Sequence, residues 1–312
     1  MQDDFDFTKP QPAYDAGKFA ASAPSAPFKP AVSKFYDAEV ATRFFQLSGR
    51  KESFSTGATL FVENERSGKQ GLFGKRVTHR MYLITAGEVA LTVASKPLDT
   101  IKTGEIFGEM AVISETPAGS TRSATATVKT DCTAYSLDTE ELQAALSRTP
   151  EFALMLMSVM FDRLRFVAAR MAMRKLAPGK DSPHEAAVFD GAALASLEQK
   201  LERATTIRYG AGKAIMNEGD AGTSMYIVLD GSVAISIKGK VVELVTSGGA
   251  FGEMALVDQS PRTANAVAET ETALLAINRV TLIALVRDEP AVGLTMLRSV
   301  AARLRHMNGL LG

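Results

Sequence analysis

Met81-Tyr-Leu-Ile-Thr-Ala-Gly-Glu-Val-Ala-Leu-Thr-Val93 returns as Met225-Tyr-Ile-Val-Leu-Asp-Gly-Ser-Val-Ala-Ile-Ser-Ile237, a constant offset of 144 positions (81 to 225), and Phe107-Gly-Glu-Met-Ala-Val112 returns as Phe251-Gly-Glu-Met-Ala-Leu256 at the same offset. Only two copies this long, each with its own strand and helix patterns, read as a duplicated domain and not as a solenoid. Within each copy Val89, Leu91 and Val93, like Val233, Ile235 and Ile237, alternate with smaller or polar residues. That is the period of a half-buried antiparallel strand. Gly87 and Gly231 punctuate these strands where a turn or bulge would need a positive φ. Short strands continue through residues 124–137 and 264–277, so each copy is expected to form a small β-barrel or jelly roll. Composition then turns helical over Glu151–Leu176 and from Ala291 to about Met307, each after a proline and a glutamate. The expected fold is mainly β with flanking helices: two barrels, each with a C-terminal helix.

Residues 1–33 are rich in Ala, Pro and Ser without period, which predicts a disordered tail. Ala177-Pro-Gly-Lys-Asp-Ser-Pro183 ends any helix arriving from upstream. The expected organisation is a first domain over 34–176 with a long C-terminal helix, a linker over 177–190 and a second domain over 191–312. At 312 residues, 46% hydrophobic and 22% charged, the chain has an ordinary globular composition. Lys plus Arg and Asp plus Glu both total 35, so no net basic field gathers nucleic acid or an anionic membrane. The longest strongly apolar run, Phe152 to Phe161, is about half of the ~20 residues a membrane crossing needs. The opening MQDDFDF is acidic where a secretory signal is basic, and a cytoplasmic location is expected. Cys132 is alone, and His79, His184 and His306 lack metal-ligand spacing, so neither a disulfide nor a metal is expected.

The chemistry concentrates in Phe251-Gly-Glu-Met-Ala-Leu-Val-Asp-Gln-Ser-Pro-Arg-Thr-Ala264. A glycine entering a short helix leaves the first backbone N–H groups unpaired, and those donors with the helix dipole favour an anion. Gly252 permits close approach, and Arg262, nine residues beyond Glu253, offers a planar fork suited to a phosphate. Glu253 beside a phosphate would be repelled unless it accepts a hydrogen bond from something neutral, such as a sugar hydroxyl. These residues resemble the phosphate-binding cassette of the cyclic-nucleotide-binding domain family, which includes the catabolite activator protein, the regulatory subunits of cyclic-AMP-dependent protein kinase and nucleotide-gated channels. The resemblance implies that Glu253 binds the ribose 2′-OH and Arg262 the cyclic phosphate. Backbone N–H groups at Met254 and Ala255 would help cradle the phosphate, with Thr263 near phosphate or base. It also implies that a bound phosphate draws the cassette inward and that the helix after the barrel swings over the base.

The first copy keeps Gly108, Glu109, Met110, Ala111, Arg122 and Ser123, yet Glu109 and Arg122 are 13 positions apart where Glu253 and Arg262 are 9 apart. Four extra residues within 115–121 bulge this cassette, and a basic loop over 66–76 is also extra. No acid–base constellation stands beside either cassette, so no catalytic residue is assigned and an enzyme is not expected. The expected ligand is cyclic AMP in preference to cyclic GMP, with no further cofactor, and a hydroxyl follows each arginine at Ser123 and Thr263. A sensor signalling to a protein partner is weighed against a scaffold with one or both pockets vestigial, and against a transcription regulator or kinase regulatory subunit. No helix-turn-helix pattern follows Met307, no arginine precedes Arg43, and homo-oligomerisation stays open.

Overall fold

The computed structural model describes residues 36–68, 78–114, 120–173, 189–201 and 206–309. The expected tail, nearly all of the linker, the body of the basic loop and cassette residues 115–119 lie outside the described residues. The first copy runs α1 (Ala38–Ser48), β1 (Arg50–Phe54), β2 (Thr59–Phe61), β3 (Met81–Val93), β4 (Lys96–Ile101), β5 (Ile106–Phe107), α2 (Glu109–Ile113), β6 (Thr125–Leu137), α3 (Thr139–Leu146) and α4 (Glu151–Met173). The second runs α5 (Gly191–Lys200), β7 (Thr206–Tyr209), β8 (Ala214–Met216), β9 (Ser224–Asp230), β10 (Ser232–Ile237), β11 (Lys240–Thr246), β12 (Ala250–Phe251), α6 (Glu253–Asp258), β13 (Asn265–Ala268), β14 (Thr272–Asn278), α7 (Arg279–Asp288) and α8 (Pro290–Gly309).

In the second copy two antiparallel sheets, ordered β11-β10-β13-β8 and β12-β9-β14-β7, form the jelly roll. The first copy has the same topology with unbroken strands: β3 spans what β9 and β10 share, and β6 what β13 and β14 share. Its order β1-β6-β3-β4, with β2 on β6 and β5 on β3, is therefore one sheet folded over itself. Both are open rolls of two faces, not closed rings of strands. The fold occurs at Gly87, where the pairing of β3 with β6 slips register between Ile84 and Val89. Gly87 has φ 89°, and a Cβ there would lie 2.3 Å from the Asp131 carbonyl oxygen. Gly231 repeats the device with φ 85° and the Glu271 carbonyl at 2.2 Å. A side chain at either position meets both strain and collision.

Each roll has its own core, built on Ile84, Val89, Phe107 and Cys132 in the first and on Val228, Val233, Phe251 and Leu274 in the second. A larger core lies outside the rolls and is shared by both copies through α1, α3, α4, α6, α7 and α8. Residues 152–157 of α4 are buried one after another, which a helix shows only when apolar on all sides. The cause is its place between copies: α1 packs on one side, where the Phe44 and Phe152 rings stack at 3.7 Å, and α8 on another. Met155, Met157 and Met160 fill this core, as their apolar setting predicts. The side chains of Met171 and Met173 lie outside the described residues. Cys132 is buried in the first roll, and burial pushes its thiol pKa up, opposite to what a nucleophile needs.

Ala153 and Gly293 stand at the same place in their copies, 140 apart like Arg122 and Arg262. A Cβ on Gly293 would sit 3.5 Å from the Cβ of Ala153. Equivalent residues touching is the mark of a two-fold, isologous contact. The two copies are accordingly arranged as a pseudo-dimer across α4 and α8, with α4 also against α6 and α8 against α2. Among the described residues no helix is long and apolar enough to cross a membrane.

Gly87→Ala should lower stability by at least about 1–3 kcal/mol through the positive φ alone, with the collision added. Its urea midpoint should fall well below that of Gly57→Ala, which shares the positive φ but has open space around it. Equal midpoints for the two variants would contradict the close-approach account of the bend.

Candidate functional site

In the second copy the chain leaves β12 and enters α6 through Gly252, whose φ of 77° and ψ of 6° lie in the left-handed region. Gly108 does the same before α2, with φ 76° and ψ 5°. No side chain caps either helix start, so the amides of the first turn, including Met110 and Ala111 or Met254 and Ala255, have no side-chain acceptor from the cap. A Cβ on Gly252 would lie 2.7 Å from Arg262 Nη1, so glycine here serves the arginine as well as the turn.

Arg262 is 6% exposed, and its two terminal nitrogens donate to the carbonyls of Gly252 and Ser224, both at 2.7 Å. Arg122 is held the same way, to Gly108 at 3.0 Å and to Arg80, the counterpart of Ser224, at 2.8 Å. Each guanidinium plane is thereby fixed between the cassette and the preceding strand. A guanidinium has five N–H donors, so the two carbonyls leave donors of the Arg262 fork for an anion. Fixing the plane beforehand reduces the entropy lost on binding.

Both site carboxylates are 5% exposed and would be costly to hold as isolated charges. Each is ion-paired by an arginine from its own copy's last helix: Glu109 with Arg163 of α4, Glu253 with Arg303 of α8. Arg303 also donates to Glu243 Oε1 of β11 at 3.3 Å and to the Ala250 carbonyl at 2.6 Å, so one side chain fastens α8 to three elements around the cassette. In the first copy Asp99 stands where Glu243 does, one methylene shorter, and its Oδ2 is buried without a hydrogen-bond partner. Burial pushes the Asp99 carboxyl upward, partly offset by the Thr100 N–H and by the nearby charge of Arg163. The arginine takes Oε1 of Glu253, and a carboxylate has lone pairs on its second oxygen for a neutral hydroxyl.

These two arginines are absent from the sequence-derived set. Their signal was present: Arg163-Leu-Arg165 and Arg303-Leu-Arg305 recur at the same 140 offset as the cassette arginines. Among the expected residues, Thr263 Oγ1 lies 3.6 Å from Met254 Sδ, which keeps its hydroxyl against the cassette, whereas Ser123 is exposed. In the first copy Ser120 donates to the Ala111 carbonyl at 2.7 Å and meets His79 Nδ1 at 2.7 Å, while its N–H reaches Ser67 Oγ at 2.8 Å. One end of the four-residue insertion is thus pinned to the cassette helix. Arg122 also lies under the Phe61 ring, 3.9 Å from its centroid. Phe61 pairs with Ala126 as Met216 pairs with Ala266, so the second copy has methionine at that place and its nearest ring to Arg262 is Tyr226 at 5.8 Å.

A glycine-led helix start, a buried glutamate and a pinned arginine, twice over on a jelly roll, define a phosphate-and-sugar-binding regulatory module. The chain belongs to the cyclic nucleotide-binding domain family, whose model matches residues 51–149 and 206–289. It is 34% identical over 123 residues to the cyclic AMP receptor protein of Thermus thermophilus, covering 38% of this chain and 57% of that protein. It is 29% identical over 226 residues to the cAMP-dependent protein kinase regulatory subunit of Schizosaccharomyces pombe, covering 68% of this chain and 48% of that one. The regulatory domain of Toxoplasma gondii protein kinase A, solved with cAMP, is similar over 85% of this chain and 89% of that one, at 19% identity and a TM-score of 0.29. The chain thus spans about half the length of the two curated relatives.

Removing Arg303 would strand the Glu253 charge in the interior. Arg303→Ala should cost about 3–5 kcal/mol in urea unfolding at pH 7, and the double variant Glu253→Gln with Arg303→Met should cost clearly less. A single variant no worse than the double would show that the pair does not neutralise a buried charge.

Proposed function

We propose that the chain is a non-enzymatic cyclic-nucleotide sensor that binds cyclic AMP in preference to cyclic GMP and relays its occupancy to a protein partner. The observation that supports this most directly is the fixed fork of Arg262 beside the first turn of α6, with Glu253 buried at the start of that turn. In this reading the cyclic phosphate takes the remaining Arg262 donors and the α6 amides, and the ribose 2′-OH donates to Glu253. Thr263 lies near the phosphate or base. Glu109, Arg122 and the α2 amides repeat the set in the first pocket, with Ser123 at its rim. The preference for cyclic AMP draws on two relatives whose names carry it, and no further cofactor is needed.

The ion pairs supply a route from ligand to surface. A ribose hydroxyl arriving at Glu253 changes the charge environment that holds Arg303, and Arg303 is the side chain fastening α8 to the cassette. The readout is thus the seat of the last helix, and a protein that distinguishes two seats of α4 or α8 reads the occupancy. We place the sensor in the cytoplasm.

A second reading, a scaffold in which the first pocket is structural, is favoured by the Phe61 ring packed on Arg122 and by the longer first cassette. Isothermal titration separates the two. Cyclic AMP should bind at two sites per chain, and at 100 times Kd should add about 2.7 kcal/mol of stability per site. Arg262→Ala should weaken the second site by about 2–5 kcal/mol. One site abolished by Arg262→Ala supports a structural first pocket, and no heat with either nucleotide overturns sensing altogether.

A further inference from the structure

Each cassette arginine takes one carbonyl from the chain at the entry to the long strand before it, and the two copies secure that carbonyl by different means. In the second copy Ser224, the acceptor for Arg262, is the first residue of β9 and lies opposite Asn278 in the pairing with β14. The sheet itself holds it. In the first copy the pairing of β3 with β6 ends at Met81 opposite Leu137, and Arg80, the acceptor for Arg122, stands one residue outside it. What the ladder does not do there, the Arg80 side chain does. Its Nε donates to Ser136 Oγ at 2.8 Å and its Nη1 to Asp138 Oδ2 at 3.1 Å, while Nη2 donates to the Ser136 carbonyl at 3.0 Å and to Glu141 Oε2 at 2.7 Å. The Ser136 hydroxyl in turn donates to Glu52 of β1. One side chain is thereby fastened to the end of β6, to the N-cap and third residue of α3 and, through Ser136, to β1. It is 16% exposed and its Asp138 and Glu141 partners 15% and 22%, so these pairs are shielded from the water that makes most surface ion pairs worth little.

None of these groups recurs in the second copy. Arg80, Ser136, Asp138 and Glu141 correspond to Ser224, Ala276, Asn278 and Thr281, and Ile207 pairs with Leu274 where Glu52 pairs with Ala134. A roll of the same topology therefore forms without the cage, and what the cage adds has to be sought in the first copy alone. We propose that Arg80 is a positioning residue for the first pocket: its caged side chain sets the carbonyl that orients the Arg122 guanidinium. That this guanidinium meets a cyclic phosphate rests on the reading proposed above. A carbonyl on an unsupported segment would drift, and the arginine would have to be ordered at the moment of binding. His79, next in the chain, adds to the hold from the other side, because its buried ring meets Ser120 Oγ at 2.7 Å within the longer cassette. Burial would raise the Glu141 carboxyl, but the Asp138 N–H and the guanidinium groups of Arg50 and Arg80 outweigh it and hold that carboxyl below its ordinary value. The cage is thus ionised at neutral pH.

Two measurements on the full chain test this. The first needs no ligand: with arginine labelled by nitrogen-15, the Arg122 side-chain signals are identified by their loss in Arg122→Ala, and Arg80→Met should shift them and speed rotation of the guanidinium while leaving the Arg262 signals in place. Unchanged Arg122 signals overturn the proposal. The second is titration with cyclic AMP in two backgrounds. In Arg262→Ala, which leaves the first pocket, adding Arg80→Met should weaken binding roughly 2–12-fold, the factor one hydrogen bond of ordinary net strength contributes, and Arg80→Lys should recover part of the loss. In Arg122→Ala, which leaves the second pocket, Arg80→Met should change nothing. An equal loss in both backgrounds, or none in the first, overturns the positioning role. Should Arg80→Met fail to fold, Ser136→Ala removes the Nε acceptor and should move the Arg122 signals and the first-pocket affinity in the same direction, and no movement overturns the proposal. Arg122 signals that respond to Arg80 in a chain whose first pocket gives no heat uphold the positioning of the guanidinium and overturn the cyclic-nucleotide reading of that pocket.

Discussion

A carboxylate withdrawn from water has to be neutralised by something, and in this protein the neutralising group arrives from the far end of the domain. Glu109 and Glu253 sit at the starts of helices too short to hold themselves, and each is met by an arginine some fifty positions later in the chain. The last helix of each copy is therefore not an appendage to a finished roll. The cassette glutamate, the helix arginine and the strand carboxylate Glu243 form one electrostatic unit in the second copy, and the Ala250 carbonyl closes it. Among the described residues Arg303 is the side chain that ties Glu253 to α8.

The two copies share this plan and differ in how tightly it is drawn. In the first, Asp99 Oδ2 is buried without a hydrogen-bond partner where Glu243 accepts from Arg303, and the Arg122 guanidinium has an aromatic ring as its neighbour where the second copy has methionine. The face of the Phe61 ring attracts the Arg122 guanidinium and helps hold it in place. Ser120 and His79 anchor the longer cassette there, where the second copy has Ser260 engaged by the other domain. Both cassettes are also reached from across the interface, the second by Arg165 at Ser260 Oγ and the first by Arg298 at the Ile113 carbonyl.

Much of this was legible in the sequence because it repeats. The glycine, glutamate and arginine of each cassette are close in sequence, and local spacing suffices to group them. The bends at Gly87 and Gly231 were visible as glycines interrupting alternating strands, although the sequence could not tell that β3 stays continuous while its counterpart divides into β9 and β10. The arginines of α4 and α8 were missed because they belong to the site only through tertiary packing, even though their tripeptide recurs in register. The uniformly apolar stretch of α4 likewise marked a buried helix without saying what buries it. That depends on α8, over a hundred positions away.

The crossing of Ala153 and Gly293 bears on how such a molecule can change. In an assembly of two identical chains, a residue on the axis meets itself, and every substitution is made twice. Here the same contact joins alanine to glycine, a pairing that identical subunits cannot adopt. Covalent fusion lifts the requirement of sameness, so one half is free to acquire Phe61, His79 or a longer cassette while the other keeps its form. Both halves still share a single interior.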